Sequence, residues 1–141
     1  MPDKVLLLDI VTPDRLLFEG EATMVIAPSA DGEVGILPLH AAFLSELNVG
    51  ELRFKQEKDG KEVEEYVAVS GGFMEVFEDK VTVITPAAEF AREIDIERAK
   101  QARAEAEAEL KKREGVDVDQ AHAKLLRAES RLRIAKRISA K

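Results

Sequence analysis

The sequence predicts two kinds of structure in series: an antiparallel β-sandwich or barrel over residues 1–88, then an antiparallel two-helix hairpin over 89–141. Three observations carry that prediction. In the first part apolar residues mostly recur at every second position, and beyond Asp95 they recur at threes and fours, the periods of strand and helix. Turn-forming clusters punctuate the first part roughly every 8–12 residues, as in sandwiches and barrels. The change of period falls within Pro86–Ala99, where Asp95 occupies a helix-cap position ahead of an alanine-rich run.

Val5–Val11 is the first strand, closed by Thr12-Pro13-Asp14. Leu16–Phe18 makes a short second strand ending at Gly20, and Met24–Ala27 a third, ended by the Pro28–Gly32 cluster. The segment Gly32–His40, Gly-Glu-Val-Gly-Ile-Leu-Pro-Leu-His, is too rich in glycine and proline for a regular interior strand. Phe43, Leu44 and Leu47 continue toward Gly50, after which Glu51–Gln56 alternates cleanly. Asp59-Gly60 is a strong hairpin signal, and Val63–Ser70 alternates again on its far side. Gly71-Gly72 marks a bulge or a close backbone approach. Phe73–Phe77 and Val81–Ile84 follow, separated by a turn at Glu78-Asp79-Lys80.

Asp95 caps a helix running to about Arg113, with Ile96, Ala99, Ala102, Ala106 and Leu110 on one face. Glu114-Gly115 stops it, because glycine enters the left-handed conformation cheaply. Asp117 through Gln120 has the spacing of a capping box. Behind it Ala121, Leu125, Ala128, Leu132 and Ala135 form a narrow seam of coiled-coil type.

Composition excludes several function classes. The chain of 141 residues is 45% hydrophobic, normal for a folded protein, and holds no cysteine, so disulfide and thiolate chemistry are absent. Its first residues lack the basic and apolar regions of a signal peptide, and no apolar run approaches the roughly 20 residues that span a bilayer. The expectation is a soluble protein on the cytosolic side whose membrane association comes through a partner. Net charge is -7 and uneven: 13 Lys and Arg face 9 Asp and Glu from residue 94 onward, leaving 8 against 19 before it. An acidic sheet region carries a basic helical tail, an asymmetry that speaks to partners.

No catalytic constellation stands out. His40 and His122 lack a second ligand at metal spacing. Ser70 makes no Gly-x-Ser-x-Gly elbow, and neither a phosphate-binding glycine loop nor a dinucleotide fingerprint occurs. The second helix is basic: Lys124, Arg127, Arg131, Arg133, Lys136, Arg137 and Lys141 stand against Glu129 alone. Such a run reads as a solvated face, or as a surface for an acidic protein, a phosphate-bearing ligand, nucleic acid or an anionic membrane. No aromatic interleaves the cations, which disfavours base stacking and membrane insertion. Arg127 and Arg131 lie one turn apart, and Arg98 begins the first helix, so an antiparallel hairpin brings the three near its open end. Three guanidiniums there can hold a triphosphate by paired hydrogen bonds.

Three segments taken in order, Gly32–His40, Val69–Val76 (Val-Ser-Gly-Gly-Phe-Met-Glu-Val) and Ile94–Ala99 (Ile-Asp-Ile-Glu-Arg-Ala), resemble the epsilon subunit family of the bacterial F-type ATP synthase. The resemblance runs along essentially the whole chain. It implies an antiparallel sandwich of about ten strands that binds the gamma subunit and the c-ring (residues 1–88), and a regulatory helical hairpin (89–141). The implied role is that of a non-catalytic rotor component in the central stalk, coupling c-ring rotation to ATP synthesis. Its place is peripheral, at the cytoplasmic face of the plasma membrane. Glu33, Pro38 and His40 match contacts at the gamma and c-ring end. In the family's extended state the helices inhibit ATP hydrolysis, and Arg127, Arg131, Arg133, Lys136 and Arg137 would then meet an acidic segment of beta in the alpha–beta hexamer. No cofactor is required; ATP is implied as a regulatory ligand at Glu89, Ile94, Asp95, Arg98, Ala99, Arg127 and Arg131. Where some ATP-binding members carry a further arginine, this chain has Glu105, whose charge repels phosphate. The alternative function is a stand-alone module that binds an acidic protein or nucleic acid through the basic helix, with the acidic sheet region weighing against nucleic acid.

Overall fold

A computed structural model describes residues 4–112 and 117–139. The chain divides into two compact units, Met1–Phe90 and Ala91–Lys141. The first holds eight strands: β1 (Leu6–Val11), β2 (Leu16–Ala22), β3 (Met24–Ser29), β4 (Gly32–Ile36), β5 (Phe43–Lys58), β6 (Lys61–Phe77), β7 (Lys80–Ile84) and β8 (Ala88–Phe90). They hydrogen-bond in the order β2-β1-β7-β6-β5-β3-β4, with β8 added beside β6. The path folds back on itself to make the two layers of a sandwich. Phe18 on β2 stacks on Phe54 of β5 with ring centroids 4.6 Å apart, although several strands separate these two along the path.

The expected sandwich followed by a helical hairpin is what the chain forms. It reaches that architecture with eight strands instead of about ten because β5 and β6 run unbroken through both layers, 16 and 17 residues long. Their register holds from Phe43↔Val76 to Lys58↔Lys61, around the Asp59-Gly60 turn. The shared neighbours change partway. β6 pairs β8 through Val67–Val69, then β7 through Phe73–Phe77. Gly71 (φ 86°) and Gly72 (φ 103°) occupy the switch, where the strand bends without leaving β5. At Gly72 a Cβ would stand 2.0 Å from the Ile84 carbonyl oxygen, so the close approach expected there is real. One pairing departs from the antiparallel rule: β1 lies parallel to β7. Parallel neighbours need a long crossover, and the chain between β1 and β7 supplies one by building most of the other layer first. The Gly32–Ile36 segment is an edge strand, consistent with its glycine content.

Alternation fixes the core. Leu6, Leu8 and Ile10 of β1, Met74 and Val76 of β6, and Val81 and Val83 of β7 face inward and are buried, meeting Val25, Ile36, Leu52, Phe54 and Val67. Burial of each such side chain is worth roughly 1.5–3 kcal/mol. A single polar pair lies deep among the described residues, Ser29 and Ser45, whose hydroxyls bond each other at 2.6 Å.

The second unit opens with a 3-10 turn (Ala91–Glu93), followed by α1 (Ile96–Lys112) and α2 (Val118–Ser139). Both caps form as the residues require. Asp95 Oδ1 accepts from the Arg98 amide and Asp117 Oδ1 from the Gln120 amide, each at 3.1 Å. The Glu114-Gly115 stop lies outside the described residues. On α1 the seam is narrow, with Ala99 and Ala106 buried and Ile96 exposed. On α2 it is wider than the sequence suggests: Ser130 and Ile134 are buried along with Ala128, Leu132 and Ala135. The 3-10 turn packs on α2 within this unit, adding a contact beyond the seam that α1 occupies.

Candidate functional site

Two places gather the residues that the sequence singled out. The first is the end of the sheet unit formed by the β4–β5 loop and the β6–β7 turn. Pro38 and His40 lie in that loop, both half-buried. The His40 amide bonds the Leu37 carbonyl at 3.1 Å, closing a tight turn. The imidazole Nδ1 lies 2.7 Å from the Ala41 carbonyl oxygen and therefore donates to it; the ring also packs edge-on against Phe43. Glu33 is not part of this cluster. It sits at the opposite end of β4, where Arg53 forks onto both its carboxylate oxygens at 3.3 Å and also reaches Glu51 at 3.2 Å. About 10 Å of strand separates Glu33 from the last residue of β4.

What the sequence reading missed at this end is apolar. Leu37 and Leu39 are 54% and 70% exposed, and Leu44 and Phe77 are also exposed. Asp79, forty positions from Leu39, accepts the Leu39 amide at 2.6 Å. No local pattern announces a bond between residues so distant in sequence.

The outer face of the same layer carries more apolar surface. Cross-strand register sets Phe73 beside Ile84 and Ile84 beside Val11, with Leu16 opposite Val11 on the far strand. Phe73, Ile84 and Leu16 are each more than half exposed. Beside this row Lys80 and Asp9 pair at 3.1 Å.

The second place is one flank of the helical hairpin. An ion pair from Lys124 to Glu109 (3.8 Å) fixes how the antiparallel helices align. Counting outward from it places Arg98 opposite Ala135, about 6 Å along the axis beyond Arg131 and about 12 Å beyond Arg127. At 100° per residue, Arg98 and Arg131 return to the flank that the ion pair marks, and Arg127 lies slightly around from it. Arg98 is exposed, whereas Arg127 and Arg131 are half-buried. Glu105 falls on the same flank, opposite the stretch between Arg127 and Arg131, and its carboxylate accepts a hydrogen bond from Gln101 at 3.4 Å. Ala99 and Ile94 are buried, and Asp95 is engaged in capping. Glu89 belongs to the other unit, on β8 opposite Ala68. Arg133, Lys136 and Arg137 are exposed but point in other directions around α2, so the basic run wraps the helix instead of forming one stripe.

Among the described residues no cluster of His, Cys, Asp or Glu could hold a metal ion, and no helix is long and apolar enough to cross a membrane. The molecule thus consists of a sandwich with an apolar end and outer face, joined to a hairpin with a guanidinium-lined flank. The class of architecture is a β-sandwich followed by a two-helix hairpin. Residues 5–91 match the family model of the ATP synthase delta/epsilon chain β-sandwich domain, and residues 92–136 match that of its long α-helix domain. The chain belongs to the ATP synthase delta/epsilon chain family. It is 47% identical over 129 residues to the ATP synthase epsilon chain of Desulforamulus reducens, covering 91% of this chain and 95% of that one. The epsilon chain of Pelotomaculum thermopropionicum is 48% identical over 113 residues, 80% of this chain and 81% of that one. Among solved structures it resembles a chain of the Euglena gracilis mitochondrial ATP synthase (OSCP/F1/c-ring, rotational state 1), with a TM-score of 0.67, 25% identity and coverage of 99% and 82%. A chain of the Tetrahymena thermophila central stalk and c-ring shares the fold at a TM-score of 0.61 and 16% identity, with coverage of 95% and 96%.

Proposed function

We propose that this chain is a non-catalytic rotor subunit in the central stalk of a bacterial F-type ATP synthase, peripheral to the cytoplasmic face of the plasma membrane. The observation that carries the reading is that both family models match in order, one on each compact unit. The sheet unit docks on the gamma subunit and the c-ring and helps to couple ring rotation to ATP synthesis. The apolar end and outer face supply unpartnered surface for that docking. The helical hairpin regulates. In an extended state its cations, Arg127, Arg131, Arg133, Lys136 and Arg137, approach an acidic segment of beta within the alpha–beta hexamer and restrain hydrolysis. Cations distributed around α2 suit a helix surrounded by several protein surfaces better than a one-sided nucleic-acid stripe.

ATP acts as the regulatory ligand of the hairpin in its folded form. Arg98, Arg131 and Arg127 offer charge along the hairpin, spaced to span a polyphosphate, with Ile94, Asp95 and Ala99 at the start of α1. Glu105 on the same flank as Arg131 weakens the attraction, so the site is tuned to high ATP concentration. Mixing the full chain with a gamma-containing catalytic head tests the assembly. Co-elution with lowered ATPase activity is the expected result, and failure to co-elute refutes it. Titration with ATP tests the ligand separately, since assembly does not depend on it.

A further inference from the structure

Three unusual backbone conformations meet at one end of the sheet unit. The turn Leu37–His40, closed by the His40 amide on the Leu37 carbonyl, has proline at its second position and a left-handed residue at its third. That is the form of a type II turn, in which the third position favours glycine or asparagine. Here the residue is Leu39, at φ 71°. A bulky side chain rarely adopts that region, and burial does not compensate it, because Leu39 is 70% exposed. The connection from β6 to β7 is equally unusual. Glu78 (φ 49°) and Asp79 (φ 63°) are both left-handed, where such hairpins favour Asn and Gly.

These two strained turns are tied together. The Leu39 amide donates to Asp79 Oδ1 at 2.6 Å, and the Asp79 carbonyl accepts from the Leu7 amide at 2.9 Å. Among the described residues Asp59 is the other non-glycine residue with positive φ, and it belongs to the ordinary Asp-Gly hairpin. Strain that no buried contact repays persists where neighbouring structure enforces it, and it concentrates at surfaces that bind.

We propose that Leu39 is the apolar contact this end presents to the c-ring, and that Asp79 is the positioning residue holding it outward. The proposal rests on the reading of the Pro38–His40 loop as the ring-facing end. Leu37, Leu44 and Phe77, all exposed, extend the contact around it. The occupant is protein and not lipid headgroups. The nearby Lys80 is paired to Asp9, which makes it a poor anchor for an anionic bilayer.

The test uses full-length chain assembled with gamma and the c-ring, with a photo-crosslinker at position 40 reporting which subunit lies there. Capture of a c subunit upholds the ring-facing reading; capture of gamma alone, or of nothing, removes that reading and the proposal with it. Given c-subunit capture, Leu39→Gly relieves the strained turn and deletes the contact. The expected result is a melting temperature unchanged or raised, with affinity for the ring lowered about ten- to hundredfold, the loss of one buried leucine. Leu39→Met retains affinity. Asp79→Gly, which accepts the left-handed turn but cannot hold the Leu39 amide, weakens affinity with Leu39 intact. Unchanged ring affinity in Leu39→Gly, or a lowered melting temperature, overturns the proposal while the ring-facing reading stands.

Discussion

Replacing Gly72 by alanine should be the most damaging single-methyl change in the sheet unit. The added Cβ would lie 2.0 Å from the Ile84 carbonyl oxygen and 2.8 Å from the Thr85 Cα. Comfortable contact begins near about 3.5 Å, so β6 and β7 would have to separate by more than about 1 Å where Phe73 pairs with Ile84. That separation breaks one or two ladder hydrogen bonds, each worth about 1 kcal/mol. The backbone at φ 103° adds about 1–3 kcal/mol for any side chain. Together these give roughly 2–5 kcal/mol, a large part of the 5–15 kcal/mol that typically holds a domain folded. Gly71→Ala supplies the control. Its nearest atom would be the Leu47 carbonyl oxygen at 3.5 Å, so only the left-handed backbone is penalised, by about 1 kcal/mol. Urea unfolding followed by fluorescence of Tyr66, the one tyrosine in a chain without tryptophan, reports on the sheet unit. If Gly72→Ala costs no more than Gly71→Ala, the close-approach argument is wrong.

Three further outcomes are expected. Asp95→Ala should cost the hairpin about 0.5–2 kcal/mol, seen as lost amide-exchange protection in the first turn of α1, while Asp95→Ser restores it. Calorimetry with ATP should show Arg131→Ala weakening binding by about 1.5–3 kcal/mol, and Glu105→Gln tightening it about two- to fivefold; a wild-type chain that gives no heat at millimolar ATP removes the nucleotide role. The Thr12 hydroxyl, donating to Asp14 at 2.6 Å, holds that carboxyl below its ordinary 3.8, helped by a backbone bond and by Arg15. The folded value is the lower one, so the contribution is present above that range and is lost as pH falls through it. In an NMR titration Thr12→Val should move Asp14 back up, and an unchanged Asp14 would show that the hydroxyl is not the cause.

Most of the architecture was legible because it depends on neighbours in sequence. Alternation over Glu51–Gln56 put Leu52 and Phe54 on one face, the buried one, Asp59-Gly60 marked its hairpin, and both helix caps fell where aspartates precede apolar periodicity. The strand count was harder to read. Gly71-Gly72 interrupts the pattern locally, yet β6 continues because β5 holds it in register, a long-range pairing that composition does not express. The parallel neighbour β1 beside β7 was hidden for the same reason. At the candidate sites, helical periodicity alone brought Arg98, Arg127 and Arg131 to one flank, since only spacing was needed. The bond from Leu39 to Asp79 joins residues forty apart and involves a leucine in a conformation its type disfavours. Residue preferences therefore pointed away from it.

The hydrogen bond from Leu39 to Asp79 also changes how the β5–β6 ribbon carries force. The ribbon is some 50 Å of continuous strand, at about 3.3 Å per residue, and its open end lies where β5 begins and β6 finishes. A pull on one strand alone at an open end peels rungs one after another, the weakest way to load a ladder. The Asp79 carboxylate ties the loop entering β5 to the turn leaving β6, so a sideways pull at this end reaches both strands together. The rungs then bear it in parallel and must fail as a group. One bond between two turns thus converts the vulnerable end of the longest hairpin into a joint that loads both strands at once.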